Sequence, residues 1–194
     1  MSLSRFTVRS GRASDAATLY ALVAENQDEG HLLPRSLGEI ARHADRFVVA
    51  ERDGSVVGCT ELAPLSARIA EVRSLAVARG DRAEGVGRTL VDELRRRAER
   101  ARFEKLCAFT HVPTYFTQMG FSIVPHTWLS EKVQADCVAC PTFGRCGQYA
   151  MALSLDTARA CGDEPSGVVV KTREMASIHQ PAPASDVGCS IVSV

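Results

Sequence analysis

The chain has 194 residues, enough for one domain with a real core and too few for two comfortable ones. Hydrophobic residues make up 45% and charged residues 24%, as in ordinary soluble globular proteins, and the formal net charge is zero. That balance gives no electrostatic case for nucleic acid or an anionic membrane. No apolar run approaches the roughly 20 residues of a membrane span, and the start MSLSRFTVRSGRAS lacks the apolar core of a signal peptide. A cytoplasmic protein is therefore expected, with its seven cysteines, an odd number, held as reduced thiols.

The first stretch, FTVRSGRASDAATLYALVAEN, predicts a strand, a turn and a helix. Ser14 or Asp15 is placed to cap that helix by accepting orphan backbone N–H bonds. Ala16, Leu19, Tyr20 and Val23 then recur at helical spacing. Pro34 breaks the loop EGHLLPRS, and Ser36 to Glu39 has the pattern of a capping box opening a second helix. RFVVAERDGSVVGCTELAPL reads as a hairpin turning at Asp53-Gly54. AEVRSLAV alternates as a strand. It should set Glu71, Arg73, Leu75 and Val77 on one face and Val72, Ser74 and Ala76 on the other. Residues 85–103 predict a helix with Val86, Leu90, Val91, Leu94, Ala98 and Ala101 on one stripe. KLCAFT is the next strand, PTYFTQMGF a short helix stopped by Gly120, and YAMALSL a last strand. From about Asp156 the chain becomes rich in Gly, Pro and small residues, which predicts a linker or tail, with GVVVKT as an added edge strand within it.

The chemistry-bearing stretch is VARGDRAEGVGRTL. A strand leads into Arg82-x-x-Gly85-x-Gly87, and a helix follows. Backbone amides at a helix N-terminus carry partial positive charge and bind phosphate. Glycine lets a ligand approach because no Cβ intervenes. Glycines at such a position also serve a plain tight turn. The spacing does not match Gly-x-Gly-x-x-Gly, and no Gly-Lys-Ser/Thr follows, which excludes a P-loop.

EVRSLAVARGDRAEGVGRTLVDEL resembles the acetyl-CoA signature of the GNAT family of N-acetyltransferases, and YFTQMGF resembles that family's later motif. The resemblance covers about residues 5–155 and implies a mixed α/β fold. In that fold a central sheet, splayed at the acetyl-CoA site, is flanked by helices. The implied division is an acetyltransferase domain over 1–155 and a C-terminal tail over 156–194. HLLPRS, GCTELAPL and LSEKVQADCVACPTFGRC are similar to the short amino-acid N-acetyltransferases and the acetyltransferase domain of N-acetylglutamate synthase. This implies acetyl-CoA as co-substrate, an amino-acid acceptor (L-glutamate first) and a place in arginine biosynthesis. Other amines as acceptors, and acyl-CoA binding without turnover, stay open at this level, as does the oligomeric state, a homodimer included.

The resemblance implies a set of site residues. Glu71 takes the position of the general base. Acetyl-CoA lies against the backbone of Leu75, Ala76 and Val77, the loop Arg82, Ala83, Glu84, Gly85, Val86, Gly87 and Arg88, and Phe116. Many members of the family carry a tyrosine acid where this chain has Phe116. Tyr115 is one residue earlier, about 100° round a helix, and is a second candidate for the acid. Arg35, Arg73, Lys132 and Arg145 are the cations offered to an acceptor carboxylate, which arginine grips with paired bonds. Cys137-x2-Cys140-x5-Cys146 invites a zinc reading, but a fourth ligand is not evident and no metal is expected. RRRAERAR reads as a solvated helix face, with glutamates interspersed.

Overall fold

The computed structural model describes residues 6–28, 32–140 and 143–156. The tail and the GVVVKT strand lie outside the described residues.

Strand β1 (Thr7–Ser10) leads through a 3-10 turn (Ala13–Asp15) into helix α1 (Ala16–Asp28), and α2 (Leu37–Arg42) follows. Asp15 does not cap α1 as expected. Its carboxylate closes the 3-10 turn instead, accepting from the Arg12 backbone N–H at 2.8 Å and from the Arg9 guanidinium at 2.7 and 3.0 Å. At α2 the Ser36 hydroxyl does accept from the Glu39 N–H, at 3.2 Å. The Glu39 carboxylate turns outward to pair with Arg35 at 2.8 Å.

Strands β2 (Phe47–Arg52) and β3 (Ser55–Pro64) form the expected hairpin. Its turn residues Asp53 and Gly54 both have positive φ, 50° and 77°, as a type I′ turn requires. Then come β4 (Ile69–Val77), α3 (Val86–Arg100), β5 (Lys105–Thr110) and α4 (Pro113–Thr117). A three-residue strand β6 (Ser122–Val124), absent from the sequence reading, precedes α5 (Ser130–Lys132), which runs into a π-helical turn (Val133–Cys137). Strand β7 (Tyr149–Ser154) closes the sheet, whose order is β1-β2-β3-β4-β5-β7-β6. Among the described strands only β4 and β5 pair in parallel, and the other pairs are antiparallel.

Two apolar layers cover the sheet. Val86, Leu90, Val91, Leu94 and Ala98 of α3 pack on Val48, Ala50, Val57, Ala70, Val72 and Leu106. Burying a leucine of this kind stabilises by about 1.5–3 kcal/mol. Ala101, expected on that stripe, is exposed, because α3 ends at Arg100 and Ala101 is only its cap. On the other face Leu19, Val23 and Ile40 pack on Phe47, Val49, Cys59 and Ala76. In the basic run Arg96 and Arg100 face solvent and pair with Glu93 of their own helix, whereas Arg97, 19% exposed, pairs with Glu93 and also donates to the Phe47 carbonyl and the Ser10 hydroxyl.

Two departures from regular pairing shape the site. Between Cys59↔Ala76 and Glu61↔Arg73, two residues of β3 span three of β4. The extra residue makes a bulge in β4, with Ser74 at φ 52°. The bulge shifts the alternation by one. Leu75 and Val77 therefore join Val72 on the α3 side, and Ala76 turns to the α1 side. The expected grouping of Glu71 and Arg73 with Leu75 and Val77 is corrected accordingly. In addition, β4 and β5 pair only at Ile69↔Lys105, Ala70↔Leu106 and Glu71↔Cys107. Beyond Glu71 the two strands diverge, and a cleft opens between them.

Candidate active site

The cleft has a volume of about 890 Å³. Its floor is the part of β4 beyond Glu71 that has no partner on its β5 side, its one end the glycine loop, and its other end a group of charged side chains.

At the loop end Gly85 is the N-cap of α3 with φ 82°, and Ala83 is also left-handed at 64°. A Cβ on Gly85 would meet nothing, so this glycine answers a backbone need and leaves the helix end open. The first N–H groups of α3 have no intrahelical acceptor and point along the axis toward this end. Arg82 is held against the protein, donating to the Val77 carbonyl and to Asn26 Oδ1, each at 3.2 Å. Arg52 braces the loop from the hairpin by pairing with Asp81 and Glu84 at 2.5 Å.

Of the residues expected to hold acetyl-CoA, Leu75, Val77, Arg82, Ala83, Gly85, Val86, Gly87, Arg88 and Phe116 line the cleft. Two of the expected set do not. The Ala76 side chain is 1% exposed and packs under α1, turned there by the bulge. Glu84 is drawn out of the lining by Arg52. Tyr115 lines the cleft, and burial pushes its phenol above the ordinary value. Phe116 is buried and stands edge-on to Tyr115 and Phe121, at 5.5 and 5.2 Å between ring centres.

At the far end lies Glu71, 4% exposed, on the last paired position of β4. Its Oε2 accepts from Lys132 at 2.9 Å and from Arg73 at 2.6 and 2.9 Å, and its Oε1 lies 2.7 Å from the Lys132 ammonium. Asp136 bridges the same two cations at 2.6 and 2.7 Å. Those contacts outweigh burial and hold the Asp136 carboxyl below the usual range. Lys132 also sits 5.4 Å from the centre of the Phe109 ring. Arg35 reaches the cleft from the loop before α2. Its Nη1 donates to Glu61 at 2.8 Å and to the Ser74 hydroxyl at 2.9 Å, its Nη2 pairs with Glu39, and its Nε is buried with no partner. Arg145, offered by the sequence as a fourth cation, is exposed and lies outside the lining. Sequence proximity to Lys132 did not carry it to the cleft.

No disulfide joins Cys59, Cys107, Cys137, Cys140 and Cys146. Burial pushes the Cys59 and Cys107 thiols up to about 12, so they behave as small apolar groups. Among the described residues no group of three or more His, Cys, Asp or Glu could hold a metal ion. No described helix is long and apolar enough to cross a membrane.

The profile of the acetyltransferase (GNAT) family matches residues 15–121, more than half of the chain. The chain belongs to the GNAT acetyltransferase family. It is an acyltransferase with the family's sheet and cleft. An uncharacterized N-acetyltransferase of Chlorobaculum tepidum is 31% identical over 148 residues, covering 76% of this acetyltransferase and 96% of the relative. An amino-acid acetyltransferase of Mycobacterium tuberculosis is 29% identical over 132 residues, 66% of this chain and 75% of the relative. Among solved structures, N-acetylglutamate synthase of Neisseria gonorrhoeae, complexed with coenzyme A and N-acetyl-glutamate, superposes with a TM-score of 0.71 at 23% identity. That match covers 78% of this acetyltransferase but only 35% of the synthase, so it shows the shared fold alone.

Sequence reasoning missed four side chains of the cleft and its support. Asn26 orients Arg82, Glu39 and Glu61 hold Arg35, and Asp136 ties Lys132 to Arg73. Glu61 carried a legible signal, an acid inside the apolar strand VVGCTELAP. The others lie on helices whose facing partners only the fold supplies.

Proposed function

We propose that this acetyltransferase moves the acetyl group of acetyl-CoA to the α-amino group of a small amino acid, with L-glutamate as the acceptor. One observation carries the reading. A single cleft joins an open helix N-terminus at one end to the buried Glu71 carboxylate, paired with Arg73 and Lys132, at the other, where Arg35 also lines the wall. The fit to acetyl-CoA rests on the β4 edge left open on its β5 side, on the Gly85 position that leaves the helix end open, and on the cleft volume. Leu75, Val77 and the 82–88 loop would hold the nucleotide and its pantetheine arm. Bound there, acetyl-CoA supplies an activated acyl group as a thioester.

The chain's own residues then have separable tasks. Glu71 takes a proton from the acceptor ammonium, directly or through one water. Each carboxylate oxygen has two lone-pair directions, and the hydrogen bonds from Arg73 and Lys132 fall on Oε2, which leaves Oε1, 2.7 Å from the Lys132 ammonium, able to accept the proton. The β5-facing edge of β4 after the bulge, which has no strand partner, offers N–H donors to the carbonyl oxygen where charge develops. The cations orient the acceptor carboxylate, and the cleft holds amine and thioester in line. Phe116 cannot donate a proton to the departing thiolate, which leaves Tyr115 or water for that task.

The test is release of CoA thiol from acetyl-CoA across a panel of amino acids and polyamines. Turnover with glutamate supports the acceptor named here. Turnover with another amine and none with glutamate rejects the acceptor and keeps the base assignment.

A further inference from the structure

Arg35 is the most deeply placed cation of the acceptor end, with its side chain 8% exposed, and it reaches the cleft already committed. Glu61, 1% exposed, bonds its Nη1 at 2.8 Å, and Glu39 bonds its Nη2 at 2.8 Å. Nη1 also donates to the Ser74 hydroxyl at 2.9 Å, and Nε is buried without an acceptor. A carboxylate arriving from the cleft therefore finds a guanidinium whose charge is already matched by two carboxylates. Nη1, with Glu61 and Ser74 on its two N–H groups, has none left for a two-pronged grip through the guanidinium end.

The surroundings sharpen the point. The acceptor end of the lining holds three cations, Arg35, Arg73 and Lys132, against three anions, Glu39, Glu71 and Asp136. Those six balance. Glu61 stands behind Arg35, outside the lining, and makes the whole group one unit negative. Its carboxylate is shielded from water, so its field acts on the cleft with little screening.

We infer that Glu61 is a specificity-determining residue, which competes with the acceptor's side-chain carboxylate for Arg35 and so blunts the preference for an acidic acceptor over its uncharged amide. The inference rests on the amino-acid acceptor proposed above. It predicts that the native chain turns over glutamate and glutamine with similar efficiency. Removing the Glu61 charge leaves Arg35 a buried cation short of a partner, and an acidic acceptor then supplies the missing anion.

The experiment compares kcat/KM for glutamate and glutamine in the native chain and in Glu61→Gln, with KM for acetyl-CoA measured alongside. Glu61→Gln keeps the shape and an oxygen for Arg35 while removing the charge. The expected result is a rise of about tenfold or more in the glutamate-to-glutamine ratio, carried by KM for the acceptor, with KM for acetyl-CoA unchanged. An unchanged or lower ratio overturns the inference. If Glu61→Gln does not fold, Glu61→Asp retains the charge but withdraws it by one methylene. Its ratio should rise partway, and a ratio equal to the native one again overturns the inference. Native protein that turns over no amino acid rejects the proposed function itself, and this inference with it. Turnover with an unmoved ratio rejects the role of Glu61 alone.

Discussion

The Tyr115 hydroxyl occupies the space that a Cβ on Gly87 would fill. The next nearest atoms to that virtual Cβ, Tyr115 Cζ and Val77 Cγ2, lie at 3.5 and 3.7 Å, ordinary contact distances. Gly87 is therefore small because of Tyr115, whereas Gly85 is a glycine because its backbone is left-handed. Two glycines two residues apart in one motif answer different physical demands.

That relationship predicts a sign reversal. Gly87→Ala in the native background should destabilise by about 1–3 kcal/mol through overpacking against the hydroxyl. In a Tyr115→Phe background the oxygen is gone, and the same change should stabilise by up to about 1 kcal/mol from helix propensity. A double-mutant cycle by denaturant unfolding measures the coupling. A Gly87→Ala effect that is the same in both backgrounds would assign the crowding elsewhere.

Glu71 bears the proton-transfer proposal. Glu71→Gln should lower kcat by about 10²-fold or more, the range of positioned acid–base groups, while acetyl-CoA still binds. Calorimetric titration with CoA separates this from misfolding. Retained turnover with intact CoA binding would move the base to another group.

Helix α2 depends on its cap at the edge of the acceptor end. Ser36→Ala removes the acceptor for the Glu39 N–H and should cost about 1 kcal/mol. In a domain of this size that lowers Tm by about 2–4 °C. Ser36→Asp should restore most of it. A thermal melt of the three proteins reads both effects.

Acid should unfold the protein through its paired carboxylates. The Arg9 bonds hold Asp15 below its ordinary 3.8, and the contacts with Lys132, Arg73 and Arg35 outweigh burial to hold Asp136 below the same value. A group whose folded value is depressed contributes stability above its unfolded value and loses it as pH falls through the folded one. Stability should thus be level near neutrality and fall progressively below about pH 4. Tm measured from pH 7 to 2.5 checks this, and Asp15→Asn should flatten part of the fall. A Tm that stays constant to pH 2.5 would mean that these pairs contribute nothing.

The hairpin, the α3 stripe and the strand–loop–helix order of the glycine motif could all be read from the sequence, because each rests on spacing within a short stretch. Asp53-Gly54 needs only its own two positive φ angles to turn the chain, and Val86, Leu90 and Leu94 declare a face by period alone. Glu71 and the 82–88 loop were offered by the family resemblance that this local order carries, and the fold sets both on one cleft. Tertiary structure decided the rest. The bulge at Ser74 exists because β3 and β4 must pair on both sides of an extra residue, and it sent Ala76 away from the cleft against simple alternation. The Glu71–Lys132 and Arg35–Glu61 pairs join residues 61 and 26 positions apart. Charges at that separation meet only when the chain between them has folded. Their desolvation in a cleft, rather than their identity in the sequence, determines what chemistry they can do.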